Sequence, residues 1–489
     1  MENPDLILAN PPTITPQKRE NRREKHTRYR DLLEKKYQRF ISHNPQLKRT
    51  LVSFQANKNV PLYRWFKYKE GFSAQMVRYI LETLAEKPGK LLDPFAGAGA
   101  ALFASQELGW EATGIELLPV GSAIIEARQA AEKVDPAKLQ KAITSICNMD
   151  FSAVESDRSP IKHIPITKDA FPQDTERQVN GYLAYCENQR DPYLRTLLRF
   201  AAFCILEMIS YTRKDGQYLR WDYRAGRTRV KARFNKGKIY SFKEALQSQL
   251  EAMRDDLVYG EMDLFNHKRP GNGKEIRLVQ GSCLEELCKF GDRSFDFILT
   301  SPPYCNRYDY TRTYALELVF LGKTDDEVKQ LRQQMLSCTV ENREKMDSLR
   351  SLYTGMGKAP LIESAIAAFD GHKGLQEVLY WLNIYNSEGL LNNSNIPRMV
   401  ANYFLEMALV VFEMSRVLMP GGKIAMVNDN VRYSGEEVPV DLILSDFAEA
   451  AGLSTKNIWV LGTGKGNSSQ QMGKYGRAEL RKCVYVWEK

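Results

Sequence analysis

Several common protein classes are excluded by what this sequence lacks. None of its eight cysteines (147, 186, 204, 283, 288, 305, 338 and 483) stands in a Cys-x-x-Cys pair, and its five histidines are scattered. A zinc ribbon and a disulfide framework are therefore absent from the pattern, no metal site is expected, and the thiols are read as reduced and cytoplasmic. No signal peptide opens the chain. The longest apolar region, Met407 to Leu418, is interrupted by Glu413 and Arg416, so no membrane-spanning helix is expected. What remains is a chain of 489 residues, 43% hydrophobic and 26% charged, with residues enough for a large core and more than one usual domain. The formal charge of +9 permits a polyanionic partner such as nucleic acid.

A phosphate-gripping glycine loop is also missing. Leu91-Leu92-Asp93-Pro94-Phe95-Ala96-Gly97-Ala98-Gly99-Ala100 reads as a strand, a tight glycine turn and the start of a helix. The third glycine of a dinucleotide fingerprint is replaced by Leu102, and no Gly-Lys-Ser/Thr follows, which disfavours NAD and ATP. Further on, Ala112-Thr113-Gly114-Ile115-Glu116 is an apolar strand closing on an acid, placed as a carboxylate that binds ribose hydroxyls would be. A nucleoside without a pyrophosphate fits this combination best.

A second stretch carries the chemistry. In Phe295-Asp296-Phe297-Ile298-Leu299-Thr300-Ser301-Pro302-Pro303-Tyr304 a short apolar run ends in hydroxyl residues, two prolines and an aromatic. This is a buried strand delivering a rigid loop to the carboxyl edge of a sheet. The prolines fix two φ angles and remove two N–H donors, leaving carbonyl and hydroxyl acceptors beside the flat face of Tyr304. Such a set suits a planar ligand with an amino group.

Taken together and in this order, Asp93 to Gly99 and Thr300 to Tyr304 resemble the S-adenosylmethionine-dependent DNA amino-methyltransferases, most closely those acting on the exocyclic N4 of cytosine. The likeness covers roughly residues 60 to 120 and 276 to 320, and the C-terminal part by pattern only. It implies S-adenosylmethionine as cofactor, held by Asp93, Pro94, Phe95, Ala96, Gly97, Gly99 and Glu116. Phe72 and Ser73 would cover its methionine end, and Ser282, which could also cap a helix beginning at Leu284, would meet its adenine. Ser301, Pro302, Pro303 and Tyr304 would form the catalytic loop, with the target base flipped out of the duplex onto Tyr304. Cytosine is favoured over adenine because the family's adenine enzymes mostly carry Asp or Asn where this chain has Ser301. Adenine-N6 methylation of DNA and amino methylation of RNA are the alternatives. Cys305 does not follow a proline, as the nucleophile of ring-carbon cytosine methylation does, and receives no catalytic role. The family also suggests a restriction-modification or related phage-defence setting, with a cognate endonuclease as a possible partner. A purely nucleic-acid-binding module would not need the glycine turn, Glu116 and the Pro-Pro loop together, and a nicotinamide oxidoreductase would not need that loop.

The fold expected is α/β: a doubly wound, Rossmann-like methyltransferase sheet with a C-terminal antiparallel hairpin and two inserted lobes. A basic arm and helix occupy 1–59, with ten Lys/Arg against four Asp/Glu from Lys18 to Arg39. Leu6 to Pro12 imitates the strand-plus-Pro-Pro motif but has Thr13 in place of the aromatic, and reads as a tail. The core runs over 60–150, 276–322 and 398–489. The lobe 151–275 is the expected target-recognition region, with the helical insertion 323–397 as its competitor. Between Arg213 and Lys238 ten Lys/Arg face two Asp, interleaved with four aromatics. Arg220, Arg224, Arg227, Arg229, Lys231 and Arg233 are the expected phosphate contacts, the last four alternating along an extended ribbon. A solvated hairpin is the plainer reading of the same alternation. Residues Met419 to Gly422 are expected to form a turn between a long helix and a strand, and the final hairpin to lie on the sheet edge.

Overall fold

A computed structural model of the protein describes residues 28–69, 71–154, 161–216, 218–227, 234–259, 274–462 and 480–489. Twelve strands are present in it: β1 (Ile41–His43), β2 (Lys90–Asp93), β3 (Glu111–Glu116), β4 (Thr212–Asp215), β5 (Tyr218–Trp221), β6 (Arg277–Gln280), β7 (Phe295–Thr300), β8 (Leu418–Asp429), β9 (Val431–Tyr433), β10 (Glu436–Val438), β11 (Ser454–Val460) and β12 (Lys482–Glu488). Eight of them form one sheet in the order β1-β11-β12-β8-β7-β2-β3-β6. Within it β12 runs antiparallel to both neighbours, and the other pairings are parallel.

The alternation of side chains along each strand divides the core between the two faces. Leu91, Phe297, Leu299, Ala425, Val427 and Val484 pack with the helices Ala74–Leu84 and Ala100–Glu107. Their neighbours Leu92, Ile298, Ile424, Met426, Tyr485 and Trp487 pack with Pro119–Lys133, Ile396–Val417 and Val440–Ala450. Both faces are thus covered, which explains why Phe297 to Leu299 in β7 read as a continuous apolar run. The chain leaves β2 towards β3 and β6, then crosses back to β7 on the other side of β2. This reversal opens a crevice at the carboxyl ends of β2 and β7, where doubly wound sheets bind ligands.

Two helical insertions stand on this sheet. Between β3 and β6 lie Pro136–Cys147, Gln173–Glu187, Pro192–Ile209 and Phe242–Tyr259, with the β4–β5 hairpin. The ring of Phe151 meets Tyr182 edge-on at 5.1 Å, and Tyr182 meets Phe242 at 5.5 Å, giving these helices an aromatic centre. Between β7 and β8 lie Asp325–Gln334, Met346–Gly355, Ala359–Gly371 and Lys373–Ser387.

Two features differ from the sequence reading. Met419 to Gly422 do not form a turn ahead of a strand but a bulge inside β8: Phe295 pairs with Leu418 and Phe297 with Lys423. Gly421 takes φ +75° and donates its N–H to the Lys489 carbonyl at 2.8 Å. The C-terminal hairpin is not the sheet edge, because β1 pairs in parallel with β11 and covers it. The basic helix before β1, Arg28–Tyr37, buries Leu33 and Tyr37 and turns its charges onto carboxylates of the core. Arg30 bonds Glu377 at 2.8 Å and also buried Glu436, while Glu34 bridges through Arg481 to Asp441. Leu6 to Pro12 and the cations from Lys18 to Lys25 lie outside the described residues.

Candidate active site

The carboxyl ends of β2, β3, β6 and β7 bring the motif residues to one cleft of about 970 Å³ of empty space, part of it open to solvent. Phe72, Pro94, Phe95, Ala96, Gly97, Glu116, Ser282, Ser301 and Pro303 line it. Ser73, Asp93, Gly99, Pro302 and Tyr304 do not, and each of these is buried beside it.

Asp93 joins the two motifs. Its Oδ1 accepts from the Phe95 N–H at 3.0 Å and from the Thr300 hydroxyl at 2.7 Å, so the glycine turn and the Ser-Pro-Pro-Tyr loop are tied together at their roots. Beyond Asp93 the turn needs glycine for space as well as conformation. Gly97 has φ +52° and Gly99 φ +74°, and a Cβ on Gly99 would stand 2.8 Å from Ile125. The Gly97 N–H donates to Glu116 Oε2 at 2.6 Å, and Glu116 Oε1 accepts from the Leu118 N–H at 2.7 Å. Each carboxylate oxygen keeps a second lone pair for a further donor.

The remaining motif residues have definite local roles. Ser73 caps the helix Ala74–Leu84 by accepting from the Met76 N–H at 3.2 Å, while its neighbour Phe72 faces the cleft. Ser282 occupies the cap position of the short helix Cys283–Glu286, but its hydroxyl donates to the Gln334 carbonyl at 2.8 Å instead of capping it. The Ser301 hydroxyl donates to the Tyr304 phenol oxygen at 3.3 Å. Lys482 stands over the Tyr304 ring at 5.2 Å and pairs with Asp429 at 3.2 Å. Cys305 is fully buried, burial pushes its thiol pKa up, and all eight cysteines are free.

Sequence reasoning did not assign roles to several lining residues. Tyr63, Phe66 and Tyr68 belong to an aromatic cluster whose periodicity is that of ordinary core, yet all three border the cleft. Tyr68 stacks on Tyr314 at 5.2 Å and would touch a Cβ on Gly97 at 3.2 Å. Gly121 lets its helix approach the turn, since a Cβ there would lie 2.4 Å from the Gly97 carbonyl oxygen. Arg128, about two helical turns further on, reaches the same turn through the Ala98 carbonyl.

The basic segment of the first insertion is built around Asp222. Arg224 bonds that carboxylate twice, at 2.7 and 2.9 Å, and the Lys236 N–H donates to it at 2.6 Å. Arg220 pairs with Asp215 at 3.1 Å and covers the Phe234 ring at 4.1 Å. Arg227 lies 3.6 Å from the Trp221 ring centroid and donates to the Pro165 carbonyl at 3.2 Å. Each of these three arginines thus has partners within the protein, whereas Arg229, Lys231 and Arg233 lie outside the described residues. Among the described residues no group of His, Cys, Asp and Glu is placed to hold a metal ion, and no helix is long and apolar enough to cross a membrane.

No family model matches the sequence. Individual relatives do. The chain is 43% identical over 493 aligned residues, 100% of this chain and 99% of the relative, to the type II methyltransferase M.AvaI of Nostoc sp. (strain PCC 7120 / SAG 25.82 / UTEX 2576). The same figures hold for M.AvaI of Anabaena variabilis. With the type II methyltransferase M.BsoBI of Geobacillus stearothermophilus it shares 38% identity over 476 residues, 94% of this chain and 91% of the relative.

Burial dominates the electrostatics of the two acids at the cleft. Burial pushes the Asp93 carboxyl up to about 7 and the Glu116 carboxyl up to about 8, and the negative charge on Asp93 adds to the effect on Glu116. Asp93 Oδ2 has no hydrogen-bond partner among the described residues. A carboxyl whose pKa is raised by folding binds more protons folded than unfolded, so it lowers stability as the pH rises from the unfolded towards the folded pKa. Asp93→Asn should therefore raise the melting temperature of the ligand-free protein at pH 8, and the advantage should shrink as the pH falls towards 4. Thermal unfolding across that range checks this, and a variant less stable than wild type at pH 8 would contradict it.

Proposed function

The chain belongs to the type II methyltransferases, DNA methyltransferases of restriction-modification, and on that premise we propose that it methylates the exocyclic N4 amino group of cytosine, with S-adenosylmethionine as donor. The observation that carries the reading is the Asp93–Thr300 hydrogen bond, which makes the glycine turn and the Ser301 loop walls of one cleft.

The fit of the donor is supported by the strand order. Ser282 follows β6, Glu116 ends β3, Gly97 follows β2 and Ser301 follows β7, and these strands are successive neighbours in the sheet. At about 4.8 Å per strand they span roughly 15 Å, a length that suits adenine, ribose, amino-acid tail and methyl acceptor in that order. Glu116 would accept from the ribose hydroxyls, Ser282 and Cys283 would border the adenine, and Phe72 with Gly97 would hold the methionine end. The two carboxyls Asp93 and Glu116 suit a ligand bearing positive charge, which would favour their ionised forms. When bound, S-adenosylmethionine supplies an electrophilic methyl group carried on a sulfonium.

The protein's part is positioning and electrostatics. The lone pair of an aromatic amine is delocalised into its ring, which makes the amine a poor nucleophile. Acceptors for the NH₂ protons, the Ser301 hydroxyl oxygen and the Pro302 carbonyl, restore density to the nitrogen and aim it across the cleft. The two prolines hold those acceptors still. Because N4 is enclosed in the duplex stack, the base must be flipped out, and Tyr304 offers its ring as the stacking face.

DNA contact is assigned to the basic segment 213–238, where Arg224 and Arg227 brace the chain and the neighbouring cations meet phosphates. Exchanging Arg229, Lys231 and Arg233 for Gln should flatten the slope of log affinity against log salt by roughly 0.9 for each phosphate no longer neutralised. An unchanged slope would assign the segment to a solvated hairpin. The base is tested by methylating DNA with labelled donor, digesting it to nucleosides and identifying the product by mass. N4-methylcytosine is expected, N6-methyladenine would overturn the choice of base, and 5-methylcytosine would overturn the amine mechanism as well.

A further inference from the structure

We propose that Arg128 is the anchor for the carboxylate at the amino-acid end of the donor, pairing with it as a guanidinium–carboxylate salt bridge inside the cleft. The inference rests on the donor reading above. Arg128 projects from the helix Pro119–Lys133, is only 4% exposed and lines the cleft. Its guanidinium lies against two ring faces, 4.3 Å from Tyr63 and 5.4 Å from Phe103, and donates to the Ala98 carbonyl at 2.9 Å. Among the described residues it has no carboxylate within ion-pair distance, and its Nε has no hydrogen-bond partner.

That arrangement is unusual for a structural arginine. Buried charges are normally paired, and a carbonyl oxygen with two aromatic faces offsets only part of the forfeited hydration. Burial lowers the pKa to about 10, which still leaves the group charged at neutral pH. Glu107 attracts this guanidinium only from beyond ion-pair distance and is itself paired with Arg78, so the cation at the wall of the cleft can take an anion that the ligand brings. The position selects which anion. Ala98 lies in the turn after β2, next to Gly97, so Arg128 sits at the β2 station of the sheet, between the ribose station of Glu116 on β3 and the acceptor loop after β7. The amino-acid tail falls there, and its carboxylate is the donor's one negative group. Two parallel N–H donors of a guanidinium match that carboxylate.

The test compares ligands with and without the carboxylate. In calorimetric titrations of the full chain, S-adenosylhomocysteine should bind wild type more tightly than 5′-methylthioadenosine or the decarboxylated analogue by about tenfold to a hundredfold. In Arg128→Met that difference should largely disappear, with S-adenosylhomocysteine weakened and 5′-methylthioadenosine nearly unchanged. Arg128→Lys, which keeps the charge but not the fork, should retain an intermediate preference and serves if the Met variant does not fold. Equal weakening of both ligands would make Arg128 a brace of the turn and overturn the proposal, as would a wild type that ignores the carboxylate. A wild type that binds none of these nucleosides would instead overturn the donor reading itself.

Discussion

The hydrogen bond from Thr300 to Asp93 is the constraint on which the site depends. It links the last residues of two adjacent parallel strands whose following loops diverge, one into the glycine turn and one into Ser301-Pro302-Pro303-Tyr304. Both partners are buried, Asp93 at 1% and Thr300 at 0% exposure, so neither has solvent as an alternative partner. Removing one side would leave a buried polar group unsatisfied, which costs about 1–3 kcal/mol. The sheet supplies the rest of the alignment. Strand spacing sets the distances between Ser282, Glu116, Gly97 and Ser301, and the topological reversal at β2 leaves their carboxyl ends uncovered by a crossover.

The same burial that fixes these groups perturbs them. Asp93 and Glu116 are held in surroundings that disfavour their charge, and Arg128 in surroundings that disfavour its own. The three are kept apart by the turn: Glu116 takes the Gly97 N–H, Asp93 the Phe95 N–H, and Arg128 the Ala98 carbonyl. A zwitterionic ligand with a sulfonium would meet complementary charge at each station. The ligand-free fold carries this as destabilisation, a common condition of binding sites.

Much of this was legible in the sequence because it is local. The apolar run Phe297 to Leu299 with its Pro-Pro stop, the Asp93 to Gly99 turn and the acid closing β3 each occupy fewer than ten consecutive residues, and each is where the motif implies. What was not legible depends on partners distant in the chain. The three residues of β1 have no strand signal of their own and are extended because β11, more than 400 residues away, presents an open edge. The Met419–Gly422 segment has turn chemistry, but pairing on both sides draws it into β8 as a bulge. Gly121 and Arg128 sit on an amphipathic helix where a glycine and a polar residue are unremarked, and only the packing of that helix against the turn gives them meaning. The basic helix Arg28–Tyr37 was legible as amphipathic, but its ion-pair partners were not, because they come from residues 377, 436 and 446.

The central claim is that one buried hydrogen bond couples donor binding to the acceptor loop. Thr300→Val removes the hydroxyl and keeps the shape of the side chain. Measured side by side, its affinity for S-adenosylhomocysteine and its single-turnover rate of methyl transfer to DNA should both fall, by about fivefold or more each. A Thr300→Val enzyme that keeps both within twofold of wild type would contradict the account.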